Sequence, residues 1–120
     1  MHMLIREVND AMESYQLNRA ARAFAPFIDD LSNWYVRRSR KRFWKSENDG
    51  DKDQAYQTLH TVLITLAKLL APFAPFIADE IYKNLTGEES VHLAEFPVAD
   101  EKMIDKELIQ EMQDVRSIIN

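Results

Sequence analysis

Apolar residues return every three or four positions along most of the chain, the spacing of helices that each bury one stripe. Leu4, Val8, Ala11 or Met12, and Tyr15 mark a first amphipathic helix over about residues 3–15. It begins abruptly, as if inside a longer helix. Tyr15, Gln16 and Leu17 then break the pattern, and Asn18 is the expected N-cap of a second helix over about residues 19–45. In that helix Ala20, Ala21, Phe24, Phe27, Ile28, Leu31 and Tyr35 form one broad stripe, with Trp34 at its margin. Pro26 falls inside the stripe, where a proline deletes a backbone hydrogen bond at ~3 kcal/mol. A bend near Ala23 is therefore expected.

Residues 47–53 (ENDGDKD) read as a loop, because Gly50 and the acids interrupt the periodicity. A third helix over about residues 53–70 turns Ala55, Leu59, Val62, Leu63, Leu66 and Leu70 inward. Tyr56 and Ala67 widen its stripe, as expected of a central helix. Pro72 and Pro75 end it and open a fourth, in which Ile77, Ile81 and Leu85 face the core and Gly87 is the stop. Residues 90–97 (SVHLAEFP) alternate as an extended segment crossing the bundle. A last helix over about residues 103–119 carries Ile104, Leu108, Met112, Val115 and Ile119. The pattern predicts an all-α fold, an antiparallel helical bundle of four to five helices in a single domain over 1–120.

Composition agrees. The chain has only 2 glycines and 4 prolines in 120 residues, few sites for tight turns. It has no cysteine, which excludes disulfides and thiolate metal sites and fits a cytoplasmic protein. It lacks a run of ~18 apolar residues, so no membrane span is expected.

Charge changes the picture more. Arg37, Arg38, Arg40, Lys41, Arg42 and Lys45 supply six of the 15 cations, with no acid between them. The rest of the chain, with nine cations against all 20 acids, carries a net −11, which leaves −5 for the whole. An arginine fork suits phosphate and its plane stacks on bases, so the segment reads as an RNA-facing helix end. Trp34 and Trp44 flank it; Trp34 is expected to pack rather than stack, while either role suits Trp44. A second reading of the cations stays open, a solvated helix end paired with Glu47, Asp49, Asp51 and Asp53. Regular helical projection sends Arg37 and Arg40 away from the apolar stripe and continues Arg38 and Arg42 along its axis.

No catalytic or metal constellation is found. There is no Gly-rich phosphate loop and no nucleophile elbow. His2, His60 and His92 lack ligand spacing, and Met1 and His2 are assigned no function. Asp29 and Asp30 are adjacent, so on a helix they point ~100° apart and cannot work as a facing acid–base pair. They are expected to offset neighbouring arginine charge.

Residues 29–44 (DDLSNWYVRRSRKRFW), 55–85 (AYQTLHTVLITLAKLLAPFAPFIADEIYKNL) and 90–97 (SVHLAEFP) resemble the anticodon-binding helical domain of isoleucyl-tRNA synthetases, a class I family. The likeness spans about Val8 to Ile119. APFAPFIADEIY is shared loosely with the valyl, leucyl and methionyl enzymes, whereas NWYVRRSRKRFW is much more specific and points to the isoleucine enzyme. Pro26 departs from the family's uninterrupted helix, and Phe96 stands where related enzymes often carry tryptophan.

The resemblance implies a piece of a larger synthetase that docks on the anticodon stem and loop of isoleucine-acceptor tRNA. The catalytic and C-terminal domains of the parent enzyme would be its partners. ATP and Mg²⁺ would serve the catalytic domain, with no cofactor on this chain, since the HIGH and KMSKS signatures are missing from it. RNA-binding residues would come from Asn33, Arg37, Arg38, Arg40, Lys41, Arg42 and Trp44. Arg37, Arg40 and Lys41 would position the backbone, Asn33 and Trp44 would contact bases, and Arg38 would form a structural ion pair. The alternatives are the equivalent domain of a valyl or leucyl enzyme, or a helical protein-interaction bundle.

Overall fold

The computed structural model describes residues 1–40, 43, 49–100, 102 and 104–119, with the side chains of Asp49 and Ile119 excepted. The chain is all-α, and no strand occurs among the described residues. Among the described residues five α-helices are delimited, in order α1 (His2–Glu13), α2 (Leu17–Asp30), α3 (Asp49–Leu70), α4 (Pro75–Thr86) and α5 (Lys106–Ile119). A π-helical turn, Leu31–Val36, continues α2, and a 3₁₀ turn, Val91–Leu93, follows α4.

α1 and α2 form a hairpin closed by a Schellman-type turn. The Gln16 N–H donates to the Ala11 carbonyl at 2.7 Å and the Tyr15 N–H to that of Met12 at 3.1 Å. Tyr15 takes the left-handed position usually given to glycine, with φ 57°. α2 begins after Gln16 without a side-chain cap, so Asn18 is already helical and is not the N-cap. It runs unbroken through Pro26, whose ring faces solvent. The expected departure from α geometry comes not near Ala23 but at Leu31–Val36.

α3 is central, as its wide stripe implied. Leu66 and Leu69 join Leu4, Ile5, Val8, Ala20 and Phe24 in a core against α1 and α2. Phe73 closes that core edge-on to Phe24, with ring centroids 5.5 Å apart. Ala67, half a turn round, packs with Ala78, Tyr82 and Val91 in a second cluster against α4. Each large side chain buried here contributes ~1.5–3 kcal/mol.

Several expectations are corrected. α3 starts at Asp49, so Gly50 to Asp53 are helical rather than loop. The acids Asp51 and Asp53 lie by the positive end of the helix dipole, which offsets the cost of glycine there. In α4 the inward residues are Ala78 and Tyr82, while Ile77 is exposed and Ile81 and Leu85 are half-buried. The stripe 77, 78, 81, 82, 85 admits two centrings, and the larger Tyr82 takes the interior. α5 starts at Lys106 because Asp105 caps it, accepting from the Leu108 N–H at 3.0 Å. Its expected inward residues Leu108, Met112 and Val115 are exposed.

After α4 the chain makes the 3₁₀ turn Val91–Leu93 in place of a fully extended start. One oxygen of Asp79 accepts from Ser90 Oγ and from the Val91 N–H, each at 2.9 Å. Further on, Asn9 Nδ2 donates to the Pro97 carbonyl at 3.0 Å and the Asp100 N–H to His2 Nδ1 at 3.1 Å. The strap thus ties α4 to α1. Among the described residues no helix is long and apolar enough to cross a membrane.

Candidate nucleic-acid interface

The cationic segment follows the π turn. A π-helical hydrogen bond spans one residue more than an α-helical one, so everything beyond it is advanced by one residue, roughly 100°. Ser39 and Phe43 therefore take the inward positions that regular projection gives to Arg38 and Arg42. They are 6% and 7% exposed. The helix is α-helical again there, since the Ser39 N–H donates to the Tyr35 carbonyl at 2.9 Å and the Phe43 N–H to that of Ser39 at 3.2 Å. Phe43 packs on Tyr56 of α3, ring centroids 4.9 Å apart, and so anchors the segment to the central helix.

Arg37, Arg38 and Arg40 are all exposed. None of the three makes an ion pair within the described residues. Arg38 is corrected from structural ion pair to aromatic partner: its guanidinium carbon lies 5.9 Å from the centroid of Trp34. Asn33 is exposed too, and its amide donates to Asp29 Oδ1 at 2.7 Å, a pairing one helical turn apart. Lys41, Arg42 and Trp44, together with Glu47 of the competing reading, lie outside the described residues.

A residue not singled out in the sequence completes the site. Arg116 of α5 reaches the same ring, with its guanidinium carbon 5.2 Å from the Trp34 centroid. Its Nη2 donates to Asp30 Oδ1 at 2.7 Å, and this bond holds the guanidinium further toward its charged form than usual. Asp30 does offset an arginine, then, but one from the far end of the chain. Only contact order hides this pair, because nothing in the α5 pattern distinguishes Arg116 from a surface cation. Trp34 is half-buried, the packed role expected of it, with two guanidinium groups on the ring.

The histidines stand apart from this site. The ring of His60 bonds through Nε2 to the Leu85 carbonyl at 2.8 Å, which makes that nitrogen the donor. His60 therefore tethers α3 to the end of α4.

Comparison with known proteins shows the family. The family described as the anticodon-binding domain of tRNA ligase matches residues 1–120. The chain is 50% identical to an isoleucine–tRNA ligase of Dehalococcoides mccartyi, over 98% of its own length and 12% of that protein's. It is 47% identical to one of Bacillus thuringiensis, over 99% of its length and 11% of the relative's. For one of Porphyromonas gingivalis the identity is 51%, over 98% and 11%. The chain thus spans about a ninth of the length of these relatives.

Proposed function

From the premise that the chain belongs to the family of anticodon-binding domains of tRNA ligases, we propose that it grips the anticodon stem and loop of an isoleucine-acceptor tRNA. One observation carries the reading: Arg37, Arg38 and Arg40 stand exposed on one short helical stretch, unpaired with any acid among the described residues. Free guanidinium groups on a rigid element are what phosphate contacts require. The choice of isoleucine is supported by the names of the similar ligases.

Arg37, Arg40 and Lys41 position the RNA backbone, and Arg42 adds to the field. Asn33 and Trp44 are the base-contacting candidates, because sequence in RNA is read on unstacked loop bases. Arg38 meets the RNA beside the Trp34 ring. ATP and Mg²⁺ belong to the ligase's catalytic domain, which with the C-terminal domain is the protein partner of this chain. The chain contributes binding and no bond-forming step.

Titration of the chain with isoleucine-acceptor and non-cognate tRNA at several salt concentrations is the test. Tighter binding of the isoleucine acceptor, weakening steeply with salt, is expected. Equal affinity for all tRNAs overturns the isoleucine assignment, and no salt-dependent binding overturns the RNA reading.

A further inference from the structure

Two carboxylates, Asp29 and Asp30, sit just before the cationic segment on the same helix, where a bare negative charge opposes an approaching phosphate. Both are occupied: Asn33 donates to Asp29 and Arg116 to Asp30, each at 2.7 Å. Only the second bond cancels a charge, and the group that does so comes from α5, 86 residues away in sequence. Arg116 is also seated rather than free. Its side chain is 26% exposed, its plane rests by Trp34, and its Nε is buried without an acceptor among the described residues. Burying an unpaired N–H is unfavourable, so this placement reflects the ring and the carboxylate together holding the group.

We infer that Arg116 is a positioning residue for RNA binding: by neutralising Asp30 and occupying Trp34, it lets Arg37, Arg38 and Arg40 meet phosphate without an opposing carboxylate. The inference rests on the RNA reading above. It makes α5 part of the interface without touching RNA. A cation that merely added to the field would sit unpaired, as Arg37 and Arg40 do among the described residues. Arg116 instead spends its charge on Asp30, so its removal uncovers an acid rather than deleting a phosphate contact.

The experiment measures binding of isoleucine-acceptor tRNA to the wild-type chain and to Arg116→Ala, Asp30→Asn and the double variant, across a salt series. Arg116→Ala should bind roughly three- to tenfold more weakly, the effect of one unit charge about 10 Å from a phosphate. Its salt slope should stay that of the wild type. Asp30→Asn should bind as tightly as the wild type or more so, and the double variant, neutral again at this place, should come within about twofold of the wild type. Wild-type affinity in Arg116→Ala overturns the inference, as does a double variant no tighter than Arg116→Ala. A slope smaller by about 0.9 in Arg116→Ala also overturns it, because Arg116 is then itself a phosphate contact. Should Arg116→Ala fail to fold, Asp30→Asn alone decides: weakened binding there marks the pair as purely structural. A wild-type chain that binds no tRNA removes the RNA reading itself, a distinct outcome from all of these.

Discussion

The phenol of Tyr56 donates to the backbone carbonyl of Phe43 at 3.3 Å, over two rings whose planes meet at 39°. This contact joins the buried side of the cationic segment to the exposed N-terminal half of α3. The ring packing outweighs the hydrogen bond, which is long and only partly buried. Phe43→Ala is therefore expected to destabilise the chain by about 3 kcal/mol, and Tyr56→Phe by less than about 1 kcal/mol. Urea denaturation followed by circular dichroism separates the two. Equal losses would mean that the hydrogen bond, not the rings, holds the segment.

The turn between α1 and α2 stores strain that a single substitution relieves. Tyr15 has φ 57° and is 91% exposed, so its ring gains little from burial while its Cβ meets the left-handed penalty. Glycine at the same place in a Schellman turn avoids that penalty and forfeits some unfolded-state entropy. Tyr15→Gly should raise stability by about 0.5–1 kcal/mol, read as a shift in urea midpoint at unchanged slope. The converse site is Gly87, with φ 72° after α4, where alanine meets no neighbouring atom but should cost about 1 kcal/mol in backbone strain.

Asp79 gives the strap an acid-sensitive tie. The Val91 N–H first, then Lys83 and Ser90, hold its carboxyl below the ordinary value of 3.8. A carboxyl depressed in the folded state adds stability that is fully present above its unfolded pKa and is lost as pH falls through the folded one. The wild type should therefore lose stability as pH drops below about 3.8. Asp79→Asn, which keeps a carbonyl acceptor without the charge, should lack this part of the acid limb. Thermal melts across pH 2–6 check it, with the difference between the two proteins constant above pH ~5 and shrinking below ~4. A gap that does not shrink in acid would show the tie to be independent of the charge.

Much of this architecture is legible in the sequence, because helical periodicity and punctuation by Pro75 and Gly87 report local physics. The cationic segment is legible for the same reason, since charge run and helix share one short stretch. What the sequence hides is a change of hydrogen-bonding period and a pairing over long range. The π turn at Leu31–Val36 leaves no mark in composition, yet beyond it Ser39 and Phe43 face inward, where regular projection expects Arg38 and Arg42. Arg116 joins Asp30 only once α5 has docked against the end of α2. In α4 the sequence pattern misleads, because the more apolar row Ile77, Ile81 and Leu85 is not the one buried, and Ala78 and Tyr82 take the interior.

That one-residue advance makes the cations separable from the scaffold. Arg37 and Arg40 are exposed, and neither holds an ion pair among the described residues, so truncating both should leave the core undisturbed. Arg37→Ala/Arg40→Ala is expected to keep the wild-type unfolding free energy within about 0.5 kcal/mol, the usual range for exposed positions. Its effect should fall on RNA instead. If each guanidinium displaces counterions from one phosphate, the slope of log affinity against log salt becomes shallower by about 1.4–1.8, and affinity falls most at low salt. The loss should be alike for cognate and non-cognate tRNA, because phosphate contacts carry no sequence information. Filter binding over a salt series measures both quantities at once. Unchanged affinity and slope would move the interface off this helix, and a loss confined to the cognate tRNA would make these arginines readers of bases.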